Sequence, residues 1–259
     1  MSLFKVYNNL LNNFYETLVS QGLSSEEAQI IVADVASKSI SEFDSMNITQ
    51  LENVLLNCRS CYGKNLVTEH GPVPGYGNRS NVDILFVGLM PGEVEEVDGK
   101  PFRGPNAEVF RDACKKNNIG TSSCPVYMIN LVNCMPVEKS APKMEQIYNC
   151  EGYWFRAVDV LQPNIIVPLG TKALGSMVGY NAKLEDYEEQ PFVFGGKMVV
   201  PMKHPSAIHR ILDTPTRNQA KLDYYKAFAG LAEMNQKINE LKRKSTNVTD
   251  GTKEQLPLE

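Results

Sequence analysis

No apolar run in this chain approaches the roughly 20 residues that a membrane helix needs, and its N-terminus lacks the charged-then-apolar pattern of a secretion signal. Both absences predict a cytoplasmic protein without membrane contact. In a reducing compartment, six cysteines do not read as three disulfides; those with ligand spacing read as metal ligands. There is no excess of positive charge either. The formal net charge is −4, which gives nucleic-acid binding no support from the chain as a whole. That deficit is local, because residues 1–57 hold two lysines against seven acidic groups and the remainder is near neutral. A near-neutral domain can still carry a basic strip. Internal repeats and low-complexity segments are absent as well.

What is present is an ordinary globular composition, 42% hydrophobic and 22% charged, over 259 residues. That length buries one sizeable core with extensions. Residues 83–88 (DILFVG), 126–131 (VYMINL), 164–170 (NIIVPLG) and 198–201 (MVVP) are short, continuous apolar runs. Such runs are strands covered on both faces. Helical patterns over 105–118, 142–161 and 171–178 separate them. The expected fold is a three-layer α/β/α sandwich with a mainly parallel sheet. Residues 1–50 read as a helical extension. Its first helix places Leu3, Tyr7, Leu10, Phe14 and Leu18 on one face, Ser24 with Glu27 caps a second running to about residue 38, and Asn47 with Gln50 caps a third. The α/β domain occupies 51–216. A helix over 217–244 carries Leu222, Tyr225, Phe228, Leu231, Ile238 and Leu241, and 245–259 reads as a flexible tail.

Cys58 and Cys61 form a C-x2-C pair, followed by Cys134 and Cys150. Four thiolates suit a zinc ion or an iron–sulfur cluster, and spacing alone does not choose between them. Cys114 and Cys124 lack ligand spacing, and Cys114 reads as a small core residue. Between the ligand cysteines lies Gly88-Leu89-Met90-Pro91-Gly92, then Glu95 and Gly99-Lys100-Pro101-Phe102. Asn130 stands four residues before Cys134, and His204-Pro205-Ser206 with Arg210 comes later. All of these fall in loops beyond the carboxyl ends of the expected strands, where ligands bind in open α/β sheets.

In this order, over residues 51–212, the motifs resemble the family 4 uracil-DNA glycosylases. The resemblance implies a 4Fe–4S cluster on Cys58, Cys61, Cys134 and Cys150, structural rather than chemical in role, with zinc as the alternative. It implies a base flipped out of DNA, Phe102 stacked on it, and Asn130 reading its N3–H and O4 edge. His204 would donate a hydrogen bond to O2 as negative charge builds there. Glu95 would orient water or stabilise the sugar cation. Ser206 and Arg210 would hold phosphates, and an apolar side chain near Ile208 or Ile211 would wedge into the vacated stack. The remaining histidines, His70 and His209, read as surface residues.

The chain departs from that family where Leu89 replaces a glutamate and Met90 a small residue, and Asn133 stands where the family usually has lysine. Gly92 occupies a position where stricter relatives carry a tyrosine that blocks 5-substituted bases. Three outcomes follow: excision of uracil, excision of a 5-modified pyrimidine, or DNA binding without bond cleavage. The protein is expected to act as a monomer. Near the C-terminus, Gln255-Leu256-Pro257-Leu258 resembles a bacterial sliding-clamp ligand without its terminal aromatic.

Overall fold

The computed structural model describes residues 15–16, 18–30, 46–62, 66–188 and 190–250, the last five as backbone alone. Six strands form one sheet: β1 (Tyr76–Gly77), β2 (Ile84–Gly88), β3 (Val126–Asn130), β4 (Ile165–Pro168), β5 (Phe192–Phe194) and β6 (Lys197–Val199). Their spatial order is β1-β3-β2-β4-β6-β5. The inner pairs are parallel and both edge strands are antiparallel to their neighbours. The mainly parallel sheet expected from the continuous apolar runs is present.

Side-chain alternation along each strand divides the core into two layers. Leu85, Val87, Tyr127, Ile129 and Ile166 face one hydrophobic cluster, and Ile84, Phe86, Val126, Ile165 and Val167 face the other. Helices α1 (Ile48–Leu56), α4 (Met144–Leu161) and α5 (Thr171–Val178) cover the first face. Helices α3 (Glu108–Lys116), α6 (Pro205–His209) and α7 (Thr214–Asp250) cover the second. A short helix α2 (Glu93–Asp98) follows the loop after β2.

Asn47 caps α1 as expected, with Gln50 reciprocating. Glu52 then fixes that helix to the sheet, accepting from the Tyr127 hydroxyl at 2.6 Å and from Arg79 at 3.0 and 3.2 Å.

The long helix α7 starts earlier and ends later than its sequence pattern suggests. It docks through Tyr224, Phe228, Leu231 and Asn235. Leu222 and Leu241, expected on the packed face, are 54% and 67% exposed. The ring of Phe228 decides the rotation, because it packs between Phe86 and Phe110 with centroids 5.8 Å from each.

Where β2 and β4 begin, a polar lock joins α7 to the sheet. Asp83 Oδ2 accepts from Asn235 at 2.7 Å and Asn239 at 2.9 Å, and Asn164 donates to Asp83, Asn235 and Asn239. Lys242 donates to Asn164 in turn.

Ser24 and Glu27 form the expected capping box, and residues 25–30 are helical. The rest of the second helix, most of the helix expected over 3–21, and residues 251–259 with the clamp-like motif lie outside the described residues. Among the described residues no helix is long and apolar enough to cross a membrane.

Candidate active site

Strands β2 and β3 end side by side, with Gly88 paired to Asn130. A Cβ on Gly88 would stand 2.3 Å from Asn130 Oδ1 and 2.8 Å from the Phe102 ring, so only glycine lets these two side chains meet. Asn130 is 5% exposed, and its side-chain amide makes no hydrogen bond among the described residues. Phe102 stacks on Phe110 at 4.9 Å, and its backbone is left-handed at φ 59. That conformation costs a phenylalanine on the order of 1–3 kcal/mol. Arg111 holds it in place, donating to the Phe102 carbonyl at 3.0 Å and the Gly104 carbonyl at 2.9 Å.

Glu95 closes the same loop from the other side. One carboxylate oxygen accepts from the Gly92 amide at 2.8 Å, the other from Gly104 at 2.9 Å and Arg103 at 3.1 Å. Its first task is therefore positional. A Cβ on Gly92 would lie 2.7 Å from that carboxylate, so a larger residue there would make the Glu95 side chain shift.

His204 sits where the chain crosses from β6 to α6. Gly170, at φ +88, passes so close that a Cβ would be 3.2 Å from His204 Cβ. The imidazole Nδ1 accepts from the Ser206 amide at 3.2 Å and is 2.7 Å from the Ser206 hydroxyl. A backbone N–H only donates, so the ring proton is assigned to Nε2, which faces away as a donor. Burial, and then the charge of Arg210, push the His204 pKa down to about 4, against an opposing pull from Glu95. The ring is neutral at pH 7. Ser206 is committed to orienting this ring, an addition to its expected phosphate contact. Arg210 is exposed, as are His70 and His209.

The structure redirects other expected site residues. Leu89 packs against the core cluster that includes Leu51 and Trp154. Met90 packs with Met144 and Tyr180 against Val132, Ile147 and Cys150. Ile208 is 2% exposed in the second core layer, so it does not serve as a wedge. Ile211 is half-buried, whereas Leu212 beside it is 90% exposed. Arg217 fixes the backbone of both, donating to Ile211 at 2.5 Å and Leu212 at 3.4 Å. A cavity of about 420 Å³ behind this loop is lined by Met202, Lys203, Ile208, Ile211 and Tyr224. Its lining includes none of Asn130, Phe102 or His204.

The four ligand-spaced cysteines occupy one neighbourhood. Burial pushes the Cys134 thiol up, reinforced by Cys150, Cys58 and Cys61. Burial likewise pushes Cys150 up to about 12, with Cys61 and Cys58 adding to it and Asn133 opposing it. Val67 bridges to Pro136 and the Thr68 amide donates to Met135, so the segment after the first pair runs beside Cys134. Among the described residues, no three histidine, cysteine or acidic side chains close around a single-ion point. Cys114 packs against the second core layer, as expected of a small apolar residue.

Sequence reasoning missed Arg111 and Leu212. Neither position carries a local sequence signal: Arg111 shares its helix face with Glu108 and Lys115, and Leu212 follows Ile211 in a short loop.

With this geometry in hand, comparisons with known proteins are specific. The family model of the uracil DNA glycosylase superfamily matches residues 74–229, beginning after Cys58 and Cys61. The chain is 28% identical over 194 residues to the type-4 uracil-DNA glycosylase of Saccharolobus solfataricus, covering 72% of this chain and 87% of the relative. It is 31% identical over 157 residues to the type-4 uracil-DNA glycosylase of Thermotoga maritima, covering 60% and 80%. A third type-4 uracil-DNA glycosylase, from Sulfurisphaera tokodaii, is 29% identical over 169 residues, covering 62% and 75%.

Proposed function

The chain belongs to the uracil DNA glycosylase superfamily, and on that premise we propose how its own residues remove uracil from DNA. It is a DNA-repair hydrolase that breaks the bond between N1 of the base and C1′ of the sugar. Water supplies the oxygen that ends on C1′, and the base leaves as an anion that is protonated afterwards. The observation that carries the residue assignment is the convergence at Gly88: an unpaired Asn130 amide and the Phe102 ring meet at one strand end.

A uracil flipped into this site stacks on Phe102, which recovers part of the unstacking cost. The free Asn130 amide accepts from N3–H and donates to O4, a pattern cytosine does not offer. The neutral His204 donates from Nε2 to O2, where charge develops as the bond breaks. A preset donor of this kind is worth about 10²–10³ in rate. Glu95, anchored by three backbone amides, keeps the loop closed and presents negative charge toward the sugar cation. Leu89 and Met90 carry no group that activates water, so water activation does not come from their positions. Arg210 neutralises a phosphate. Leu212, rather than Ile208, is the apolar side chain available to fill the vacated stack.

Cys58, Cys61, Cys134 and Cys150 would hold a 4Fe–4S cluster. Two observations fit that group. The Asn149 amide lies 3.5 Å from the Cys61 sulfur, and the Asn133 side chain is buried beside Cys150 with no oxygen or nitrogen partner for either polar atom. Such a cluster would join the Cys58–Cys61 turn to the loop carrying Cys134 and the helix carrying Cys150, and would take no part in bond cleavage.

Gly92 supports a second substrate. Its stapled loop leaves no bulk at a position where a tyrosine would screen C5, so 5-hydroxymethyluracil fits the same reading. Gln255-Leu256-Pro257-Leu258 adds a proposed tether to a bacterial sliding clamp, which would raise the local concentration of a monomeric enzyme at replicating DNA. Deleting 251–259 tests it: clamp pull-down should vanish while activity on short oligonucleotides persists.

The decisive assay is release of base from labelled oligonucleotides containing uracil or 5-hydroxymethyluracil, with His204→Ala as control. Uracil release that falls about 10²–10³-fold in the variant supports the assignment. Undiminished release by the variant overturns it.

A further inference from the structure

Three of the four ligand cysteines follow an asparagine: Asn57-Cys58, Asn133-Cys134 and Asn149-Cys150. The fold gives these asparagines different partners. Asn57 turns back on α1, donating from Nδ2 to the Asn53 carbonyl at 2.8 Å. Asn149 reaches out from α4, with Nδ2 3.5 Å from the sulfur of Cys61 rather than from its neighbour Cys150. Asn133 is fully buried, and neither Nδ2 nor Oδ1 has an oxygen or nitrogen partner. Its side chain too turns to a cysteine other than its sequence neighbour, lying against Cys150.

Leaving a primary amide buried and unpaired costs roughly 1–3 kcal/mol, and native proteins leave few such groups without a reason. Both asparagines lie against the same four-sulfur site. Thiolates and bridging sulfides accept N–H donors, and such bonds help set a cluster's potential. On the cluster reading above, we propose that Asn133 and Asn149 donate hydrogen bonds to the sulfur cage and set how readily the cluster gives up an electron. An N–H donor favours the more electron-rich state of the cage. Removing it makes one-electron oxidation easier, so the midpoint potential moves to more negative values. In air the cluster then bleaches sooner. Asn57, spent on its helix, has no such role.

The test uses full-length, cluster-loaded protein adsorbed on an electrode, which takes up and returns the electron. Wild type is compared with Asn133→Leu, Asn149→Leu and Asn57→Ala, with visible absorbance confirming that each sample is loaded. The expected result is a more negative midpoint in the first two variants. A tenfold change in the redox equilibrium corresponds to about 59 mV for a one-electron couple. Asn57→Ala should match wild type, and bleaching in air should quicken only where the midpoint moves. A loaded Asn133→Leu protein with the wild-type midpoint overturns the inference. If that variant does not fold or load, the exposed Asn149→Leu carries the test, and an unmoved midpoint there overturns it equally. A colourless wild type sinks the cluster reading itself, and this inference with it. A coloured wild type with unmoved variants sinks the inference alone.

Discussion

The two ends of the parallel sheet use asparagine in opposite ways. Where β2 and β4 begin, Asn164, Asn235 and Asn239 share donors and acceptors with Asp83 and Lys242, and their side-chain amides are occupied. Where β2 and β3 finish, Asn130 is as buried as Asn235 but has no protein partner for its amide. The first end ties the longest helix to the sheet. The second leaves a donor and an acceptor that, on the proposed function, meet a base. Burial therefore does not distinguish a structural asparagine from a functional one, whereas hydrogen-bond satisfaction does.

The strongest challenge to that contrast is a pair of alanine variants. Asn130→Ala should cut kcat/KM for uracil by about 10²-fold or more, in the range for a lost transition-state donor, and leave the melting temperature close to wild type. His204→Ala should lose about as much. A stability loss in Asn130→Ala as large as its activity loss would erase the distinction.

The converse experiment is Asp83→Ala. It strips a charged acceptor from Asn235, Asn239 and Asn164 and should cost about 3 kcal/mol, lowering Tm by several degrees. Uracil excision at 25 °C should survive. Loss of activity in a folded Asp83→Ala protein would mean that the two ends are coupled.

The effect of pH sharpens the catalytic side. His204 is half-buried and neutral, with a pKa lowered from the usual 6.5 to about 4. Between those values the unfolded chain binds the proton more readily than the folded one, so the stability this group contributes above pH 6.5 is lost as pH falls toward 4. The donor itself should stay competent down to about pH 4. Titrating His204 by NMR checks this, and a midpoint near 6.5 would contradict it. Among these changes the smallest effect is expected for Arg210→Gln, which should lower the salt dependence of DNA binding by about one phosphate contact.

The sequence made the sheet legible because strands covered on both faces announce themselves as unbroken apolar runs. Helix α1 was legible from its Asn47–Gln50 cap, and His204, Asn130 and Phe102 were legible from their order among recognisable loops. Rotation about a helix axis was not. On α7, Leu222 and Leu241 fit an amphipathic pattern as well as Tyr224 does, and only the seat of Phe228 between two other rings decides among them. Nor did the sequence reveal which side of the loop Leu89 and Met90 would face. Their side chains join hydrophobic packing, so on the proposed function these substitutions alter the backing of the base pocket. Glu95 was found for its carboxylate, but the three amides it gathers come from residues up to nine positions away, and that is a tertiary fact.

The left-handed turn at Phe102, held through two carbonyls by Arg111, bears on the order of events in catalysis. A loop fixed this way is a template that exists before DNA arrives, not a gate that closes over it. Waiting time then belongs to the nucleic acid: the enzyme meets bases at the pace at which they leave the stack. Mispaired uracil, which leaves more easily than a paired one, should be found sooner by this protein with no change in how tightly the extruded base is held.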